Sequence, residues 1–402
     1  MDYSELLSYN LSMPVIVLLA VTLLCMVLFL CIWVPYVGRP GRKVGEENEK
    51  LEIEAGNVRP VDEVSVIVYA NNDGENIEQL LNSILSQKAV ETMEVIVVND
   101  GIFDSTHDIV GRLELQHSNL YMTYAPENSR NLSRRKLALT LGIKAARYEK
   151  LVFTTGKVMI QSDFWLNHMA SPLDGGYDIV LGYAYPDANG RDNGAKRLRA
   201  FDTVWEAVSW LSPAISGNVT RGIGANLAYR RQLFFDNKGF SRSLNLVNGD
   251  DDIFISEIAS GRNATVEIAS EMQVGVDDWN PAATHGANKL GRRFTGLRIS
   301  RWPRLLMAAG AWLMWAILGC GIAAGVLGWP SLLPAAASLC MLLGASVPAM
   351  FAWRRTSVGL HSRRLFFTVV PLLLWHPFYN LAYAIRSRLS RRKNFTWSEL
   401  DK

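Results

Sequence analysis

Apolar residues gather into long unbroken runs at both ends of the chain and alternate with polar ones in the middle. Residues 13–34 hold 22 positions without a charge, and a helix needs about 20 to cross a hydrocarbon core. A cleaved signal peptide would show a basic start, a shorter apolar core and a small-residue cleavage site. Here the start carries Asp2 and Glu5, and the run ends in Trp33, Pro35 and Tyr36. An uncleaved anchor within residues 1–38 is the expectation. Residues 305–353 are 49 positions without a charge, enough for two spans with Gly328-Trp329-Pro330-Ser331 as the turn between them. A third run, 365–385, has His376 as its one ionisable group. Its Pro371 and Trp375-His376-Pro377 leave two alternatives open, a full crossing or a re-entrant or interfacial segment. Buried helices of a soluble protein would be shorter and keep a polar stripe.

Between residues 61 and 295 the period switches repeatedly. Val64-Ser65-Val66-Ile67-Val68-Tyr69-Ala70 reads as a buried strand. Asn72 or Asp73 is then expected to cap a helix whose apolar positions Ile77, Leu80, Leu81, Ile84 and Leu85 recur at helical spacing. Strands at 94–98, 120–125 and 151–154 alternate with helices at 106–115 and 132–148. That alternation predicts an α/β domain with a mostly parallel sheet and helices on both sides. Ligands of such sheets sit beyond the carboxyl ends of the strands. There the chain carries Asn71, Asn72 and Asp73, and then Asn99-Asp100-Gly101 with Asp104. Acidic strand ends suit a hydroxyl-rich or base-like ligand; equally, Asp100-Gly101 is a turn and Asp104 a helix cap. Residues 39–60 are charged, glycine-bearing and aperiodic, the pattern of a flexible linker.

Composition narrows the class. Over 402 residues, 49% are hydrophobic and the formal charge is +3, which excludes a disordered chain and leaves no nucleic-acid signature. Cys25, Cys31, Cys320 and Cys340 all lie in the apolar runs, so the middle domain has no cysteine chemistry. Basic residues flank the runs: Arg39, Arg42 and Lys43, then Arg292 to Arg304, then Arg354, Arg355, Arg363 and Arg364. The positive-inside rule puts the middle domain in the cytoplasm of a multi-pass protein of the plasma (inner) membrane. Residues 296–304 form a basic interfacial segment attracted to membrane lipid. The membrane helices are expected at 305–385 and a basic cytoplasmic tail at 386–402; a full crossing at 365–385 would instead put Arg386, Arg388, Arg391, Arg392 and Lys393 outside.

An ordered set of motifs carries a family resemblance. Val64 to Asp73 is followed by Val97-Val98-Asn99-Asp100-Gly101, then by Ser133-Arg134-Arg135-Lys136-Leu137-Ala138-Leu139 with Gly142 and Ala145. Gly222-Ile223-Gly224-Ala225-Asn226-Leu227-Ala228-Tyr229, Gly239-Phe240 and Gly249-Asp250-Asp251-Asp252 complete it. Over about 230 residues this order and spacing resembles the family-2 inverting glycosyltransferases of the hyaluronan and cellulose synthase type. Their domain has the GT-A fold, which the resemblance implies for residues 61–295. It further implies transfer of a sugar from a nucleotide-diphosphate donor to a glycan or lipid-linked acceptor.

The resemblance also implies roles for single residues. Asp73 and Asp100 would hold base and ribose, with Tyr69 and Asn71 replacing the commoner proline and tyrosine of the first motif. Lys136 would reach base or phosphate, or else be a solvated helix residue beside Arg134 and Arg135. Asp251, beside Asp250, matches the catalytic carboxylate; Asn226, Arg292 and Arg293 fall to acceptor or diphosphate. Three adjacent carboxylates repel one another, which raises the pKa of at least one and suits a general base. One departure stands out. Where the family binds Mg²⁺ or Mn²⁺ through Asp-x-Asp, this chain has Thr155-Gly156-Lys157, so the usual metal ligands are absent. The Gln-x-x-Arg-Trp signature is reduced to Leu290-Gly291-Arg292-Arg293-Phe294. Three readings follow: an enzyme in which Lys157, Arg292 and Arg293 replace the metal, an inactive pseudo-glycosyltransferase acting as a membrane-bound partner or regulator, and a metal site relocated to Asp252 or Asp187.

Overall fold

The computed structural model describes residues 12–54, 58–101, 105–125, 133–186, 193–277, 280–296 and 298–390. Asp104, Asp187 and the tail beyond residue 390 lie outside them. The chain divides into two compact units, one within the spans 1–42, 191–212 and 301–383, the other within 43–190, 213–300 and 384–402. Residues 191–212, expected inside the GT-A domain, thus belong to the first unit.

The second unit is built on a seven-stranded sheet in the order β3-β2-β1-β4-β8-β6-β9. Its strands are β1 (Val61–Ala70), β2 (Val90–Asn99), β3 (Leu120–Tyr124), β4 (Lys150–Thr155), β6 (Ile179–Leu181), β8 (Leu227–Arg230) and β9 (Ala264–Val266). The first four run parallel, β8 is antiparallel to β4 and β6, and β9 is parallel to β6. The remaining strands, β5 (Val158–Met159), β7 (Ala184–Pro186) and β10 (Val274–Val276), make a small sheet with β10 in the middle. This is the mixed, mostly parallel sheet implied by the resemblance. The buried core gathers alternate residues of the central strands, such as Val64, Val66, Val68, Val95 and Val97, beneath Ile77, Leu80, Leu81 and Ile84 of helix α1 (Ile77–Leu85). Helices α2 (Thr106–Glu114) and α3 (Arg134–Ala145) follow β2 and β3. At Gly142 of α3 a Cβ would stand 2.7 Å from Ile67 Cγ2, so glycine there lets the helix lie close on the sheet. Helix α1 is not capped by the side chain of Asn72 or Asp73. Its N-cap is Asn76, and the Asp73 carbonyl accepts the amides of Asn76 and Ile77.

In the first unit three helices are long and apolar enough to cross a membrane: Met13–Ile53, Trp302–Leu327 and Leu333–Gly359. The helix from Met13 runs on to Glu54 through one π-helical turn at Phe29–Trp33, so the flexible linker expected at 39–60 is corrected over 39–54. Two features let glycines and a proline stay helical. A Cβ at Gly41 would meet the Thr356 backbone at 2.8 Å, which marks a close helix contact that only glycine permits. Pro40 lacks the amide that would bond the Tyr36 carbonyl, and Ser212 Oγ donates to that carbonyl at 2.7 Å instead. The third apolar run forms a continuous helix, Val369–Leu389, through Pro377. Buried His376 meets Asp202 at 2.8 Å and Asn380 at 3.1 Å, so the histidine of that run is partnered.

Gly310 lies against the Trp33 indole, where a Cβ would overlap the ring, whereas Gly319 faces open space. Gly310→Val is expected to lower the unfolding temperature in detergent by an overpacking loss of about 1–3 kcal/mol, and Gly319→Val to leave it unchanged or raised.

Candidate functional site

The carboxyl ends of β1 and β2 lie side by side, with Ala70 opposite Asn99 and the Asp100 amide bonded to the Ala70 carbonyl at 2.8 Å. Two buried carboxylates stand there. Asp73 Oδ2 accepts the Asn71 amide at 2.9 Å and shapes the turn after β1. Asp100 accepts from the Tyr69 hydroxyl and from Arg134 Nε, each at 2.7 Å. The guanidinium that meets Asp100 therefore comes from Arg134, on the first turn of α3, and these donors orient the carboxylate.

One position further along α3, Arg135 pairs with Asp250 at 2.8 Å and lies over the Tyr69 ring at 5.0 Å. Lys136 points the other way. It is fully buried, and its ammonium donates to the carbonyls of Ser243, Leu246 and Asn248 at 2.5, 3.0 and 2.7 Å. Burial pulls its pKa down to about 8, still an ammonium at neutral pH. With three donors spent on three carbonyls, Lys136 holds the loop leading into Asp250. Its expected role as a ligand for base or phosphate is corrected.

That loop delivers the three carboxylates to helix α4 (Ile253–Ile258). Asp252 is the helix cap, taking the Ile253 amide at 2.6 Å and the Thr295 hydroxyl. Asp251 takes the Gly224 amide at 3.1 Å, while its own carbonyl accepts the Gly222 amide at 2.7 Å. Burial raises the Asp251 pKa to about 6, helped by the charges of Asp250 and Asp252 and opposed by Arg221 and Arg135. Of the three, Asp251 is the carboxylate poised to take a proton near neutrality.

Residues 155–157 occupy the end of β4. Gly156 donates its amide to the Tyr69 carbonyl at 2.9 Å, and a Cβ there would stand 2.5 Å from the Asp73 carboxylate. Lys157 brings its ammonium to 3.7 Å from Asp73 Oδ1. A cation already stands beside the carboxylate nearest this position, and Thr, Gly and Lys offer no charged oxygen. The residues do not fit Mg²⁺ or Mn²⁺ here, and no group of three potential metal ligands occurs among the described residues.

The strand-end carboxylate Asp100 and the acidic run before α4 are thus joined through the basic first turn of α3, by Arg134 and Arg135. Residues 65–237 match the family model "Glycosyl transferase family 2". This segment is similar to family-2 glycosyltransferases, and the sheet it belongs to has a GT-A-like mixed α/β arrangement. Over 146 residues, 35% of this chain, the sequence is 30% identical to "Glycosyltransferase AglE" of Haloferax volcanii; the match takes in 45% of that relative's length. Among solved structures, a mannosyltransferase from Pyrobaculum calidifontis in complex with GDP-Man and Mn²⁺ is similar at 19% identity, covering 92% of this chain and 99% of that one, with a TM-score of 0.47. Residues 1–349 of TarS from S. aureus, in complex with UDP-GlcNAc, are similar at 17% identity, covering 82% of this chain and 92% of that one, with a TM-score of 0.40.

Within the matched segment Asn226 is corrected from a ligand to a core residue. It is fully buried, accepts from Trp165 Nε1 and donates to the carbonyls of Tyr183 and Met272, all at 3.0 Å. Arg292 and Arg293 lie on the last turn of helix α5 (Pro281–Thr295), whose Thr295 bonds Asp252. Two residues absent from the sequence reading also belong to this region. Tyr183, just past β6, and Arg221, just before the Gly222-Ile223-Gly224 motif, carry no pattern that a spacing rule detects. If Lys136 is structural, Lys136→Met loses about 1–3 kcal/mol of unfolding free energy in a denaturant titration. Its nucleotide affinity is expected to remain that of the parent wherever the variant stays folded.

Proposed function

We propose that the protein is a membrane-bound glycosyltransferase that moves a sugar from a nucleotide-diphosphate donor to a hydroxyl of a glycan or lipid-linked acceptor, with inversion and without a bound metal. The observation that carries this reading is Asp251: a half-buried carboxylate with a pKa of about 6, fixed by the amide of Gly224, which lies in the segment that matches the family. In the step, the acceptor oxygen attacks the anomeric carbon and its proton passes to Asp251. The bond from that carbon to the phosphate oxygen breaks, and the diphosphate departs with the electron pair. Inversion follows from a single displacement from the face opposite the leaving group.

The departing diphosphate needs compensating positive charge. Lys157 stands where relatives with Asp-x-Asp would place their carboxylates, and Arg292 and Arg293 complete a cationic set. Asp73 and Asp100 serve the base and ribose, since both sit at strand ends with a side-chain carboxylate in a preset orientation. The three apolar helices and the basic residues beside them support attachment to the plasma membrane with the domain on the cytoplasmic side. A hexose is the proposed sugar by family resemblance.

Turnover of a nucleotide sugar by the purified full-length protein in EDTA is the deciding measurement. Equal rates with and without chelator are expected, and strict dependence on added Mg²⁺ or Mn²⁺ would show the metal-free part to be wrong. Absence of saturable binding to any nucleotide sugar would leave the inactive pseudo-glycosyltransferase as the reading. Asp251→Asn is expected to lower kcat by about 10²–10⁴ with donor affinity retained. Because the base acts as the carboxylate, kcat/KM should fall as the pH drops through about 6.

A further inference from the structure

Helix Val369–Leu389 carries apolar side chains on two opposite faces. Val369, Leu373 and His376 form its buried face. Trp375, Phe378, Leu381, Ile385 and Leu389 are between 46% and 79% exposed and recur at the three- and four-residue steps of one helical stripe. An exposed stripe of this size marks an interaction surface.

The buried face fixes the level at which the helix lies. His376 meets Asp202 at 2.8 Å, and its ring is 4.0 Å from that of Trp205, both residues of helix Gly194–Ile215. That helix is joined to β7 before it and to β8 after it, strands of one unit, so as the single helix between them it does not cross a bilayer. Its Phe201 stacks on Trp353 at 4.1 Å, and its Trp205 lies 6.5 Å from Trp33. Trp353 immediately precedes Arg354 and Arg355. The Trp33 indole donates to the carbonyl of Met307, three residues after Arg304, at 3.3 Å. The ends of the three apolar helices that carry Arg39, Arg304 and Arg354 thus come together around Asp202 and His376.

From His376 to Arg386 is ten residues, about 15 Å of helix, whereas a hydrocarbon core is about 30 Å thick. A crossing that began at the level of His376 would leave Arg386 and Arg388 near the middle of the core, where guanidinium groups are strongly disfavoured. Running along the surface, the helix puts its exposed stripe among acyl chains. Arg386 and Arg388, with Arg391, Arg392 and Lys393 of the tail, then reach anionic headgroups.

We infer that helix Val369–Leu389 does not cross the membrane but lies in its cytoplasmic leaflet, with an anionic lipid surface as the partner of its exposed stripe. The Asp202–His376 pair is the tie that holds it at that level. The inference rests on the proposed membrane attachment and deepens it.

The test adds single cysteines to the full-length protein in membrane vesicles: Ser86→Cys in the matched segment, Leu332→Cys between the second and third apolar helices, and Lys402→Cys in the tail. An impermeant maleimide is applied to inside-out and right-side-out vesicles, with the parent, whose four cysteines lie in the apolar runs, as the blank. Lys402→Cys is expected to be labelled with Ser86→Cys in inside-out vesicles and protected in right-side-out ones, the reverse of Leu332→Cys. Labelling of Lys402→Cys together with Leu332→Cys would mean a full crossing and overturns the inference, with membrane attachment left in place. Labelling of Ser86→Cys and Leu332→Cys from one side overturns the proposed attachment and the inference with it. A second readout identifies what covers the stripe. Nitroxides at Phe378→Cys and Ile385→Cys, in protein with Cys25, Cys31, Cys320 and Cys340 replaced by alanine, are measured in phosphatidylcholine–phosphatidylglycerol vesicles. Stronger relaxation by oxygen than by a nickel chelate is the expected lipid result. The opposite order means water, and no response to either means a covering protein; both overturn the lipid partner. The ratio is expected to fall without phosphatidylglycerol, and an equal ratio in pure phosphatidylcholine overturns the part given to anionic headgroups.

Discussion

Asp250, Asp251 and Asp252 crowd three carboxylates into a buried corner, and the arrangement holds because each has its own counterpart. Arg135 answers Asp250, the Gly224 amide answers Asp251, and the Ile253 amide with the Thr295 hydroxyl answers Asp252. The corner is positioned from behind by Lys136, whose ammonium gathers three carbonyls of the preceding loop. Adjacent residues of one helix therefore do three jobs: Arg134 sets Asp100, Arg135 sets Asp250, and Lys136 sets the loop leading into Asp250. Removing one donor from such a corner leaves an uncompensated charge or several bare carbonyls, which is far costlier than losing a surface pair.

Among the described residues Asp251 has only the Gly224 amide as a direct donor, so burial raises its pKa, with the charges of Asp250 and Asp252 adding to the shift and Arg221 and Arg135 opposing it. At the end of β4 the balance is inverted. A lysine stands beside Asp73 where the resemblance would place two carboxylates.

In the unit with the apolar helices, small residues allow the close approach. Gly41 meets the Thr356 backbone, Gly310 meets Trp33, and the space saved is filled by a cluster that includes Phe29, Trp33, Phe201 and Trp353. The charged, glycine-bearing stretch after the first apolar run looks like a linker on composition. It is helical because its breakers are compensated: Ser212 supplies the hydrogen bond that Pro40 cannot, and the glycines gain contacts where side chains would collide.

The alternation of strands and helices from Val61 to Thr155, the acidic run ahead of Ile253 and the length of the terminal apolar runs were all legible in the chain, because each is a local period or a local charge pattern. The missing metal ligands at 155–157 were legible for the same reason. The partner of each charge was not. Lys136 and Arg134 look alike in the sequence, yet one is consumed by carbonyls about 110 residues away and the other meets a carboxylate 34 residues before it. Asn226 sits in a motif that resembles a ligand site, and only the packing of Trp165, Tyr183 and Met272 around it shows a core amide. Tyr183 and Arg221 had no sequence signal at all. Pairing of buried polar groups depends on which distant segments share a volume, and that is a property of the folded chain.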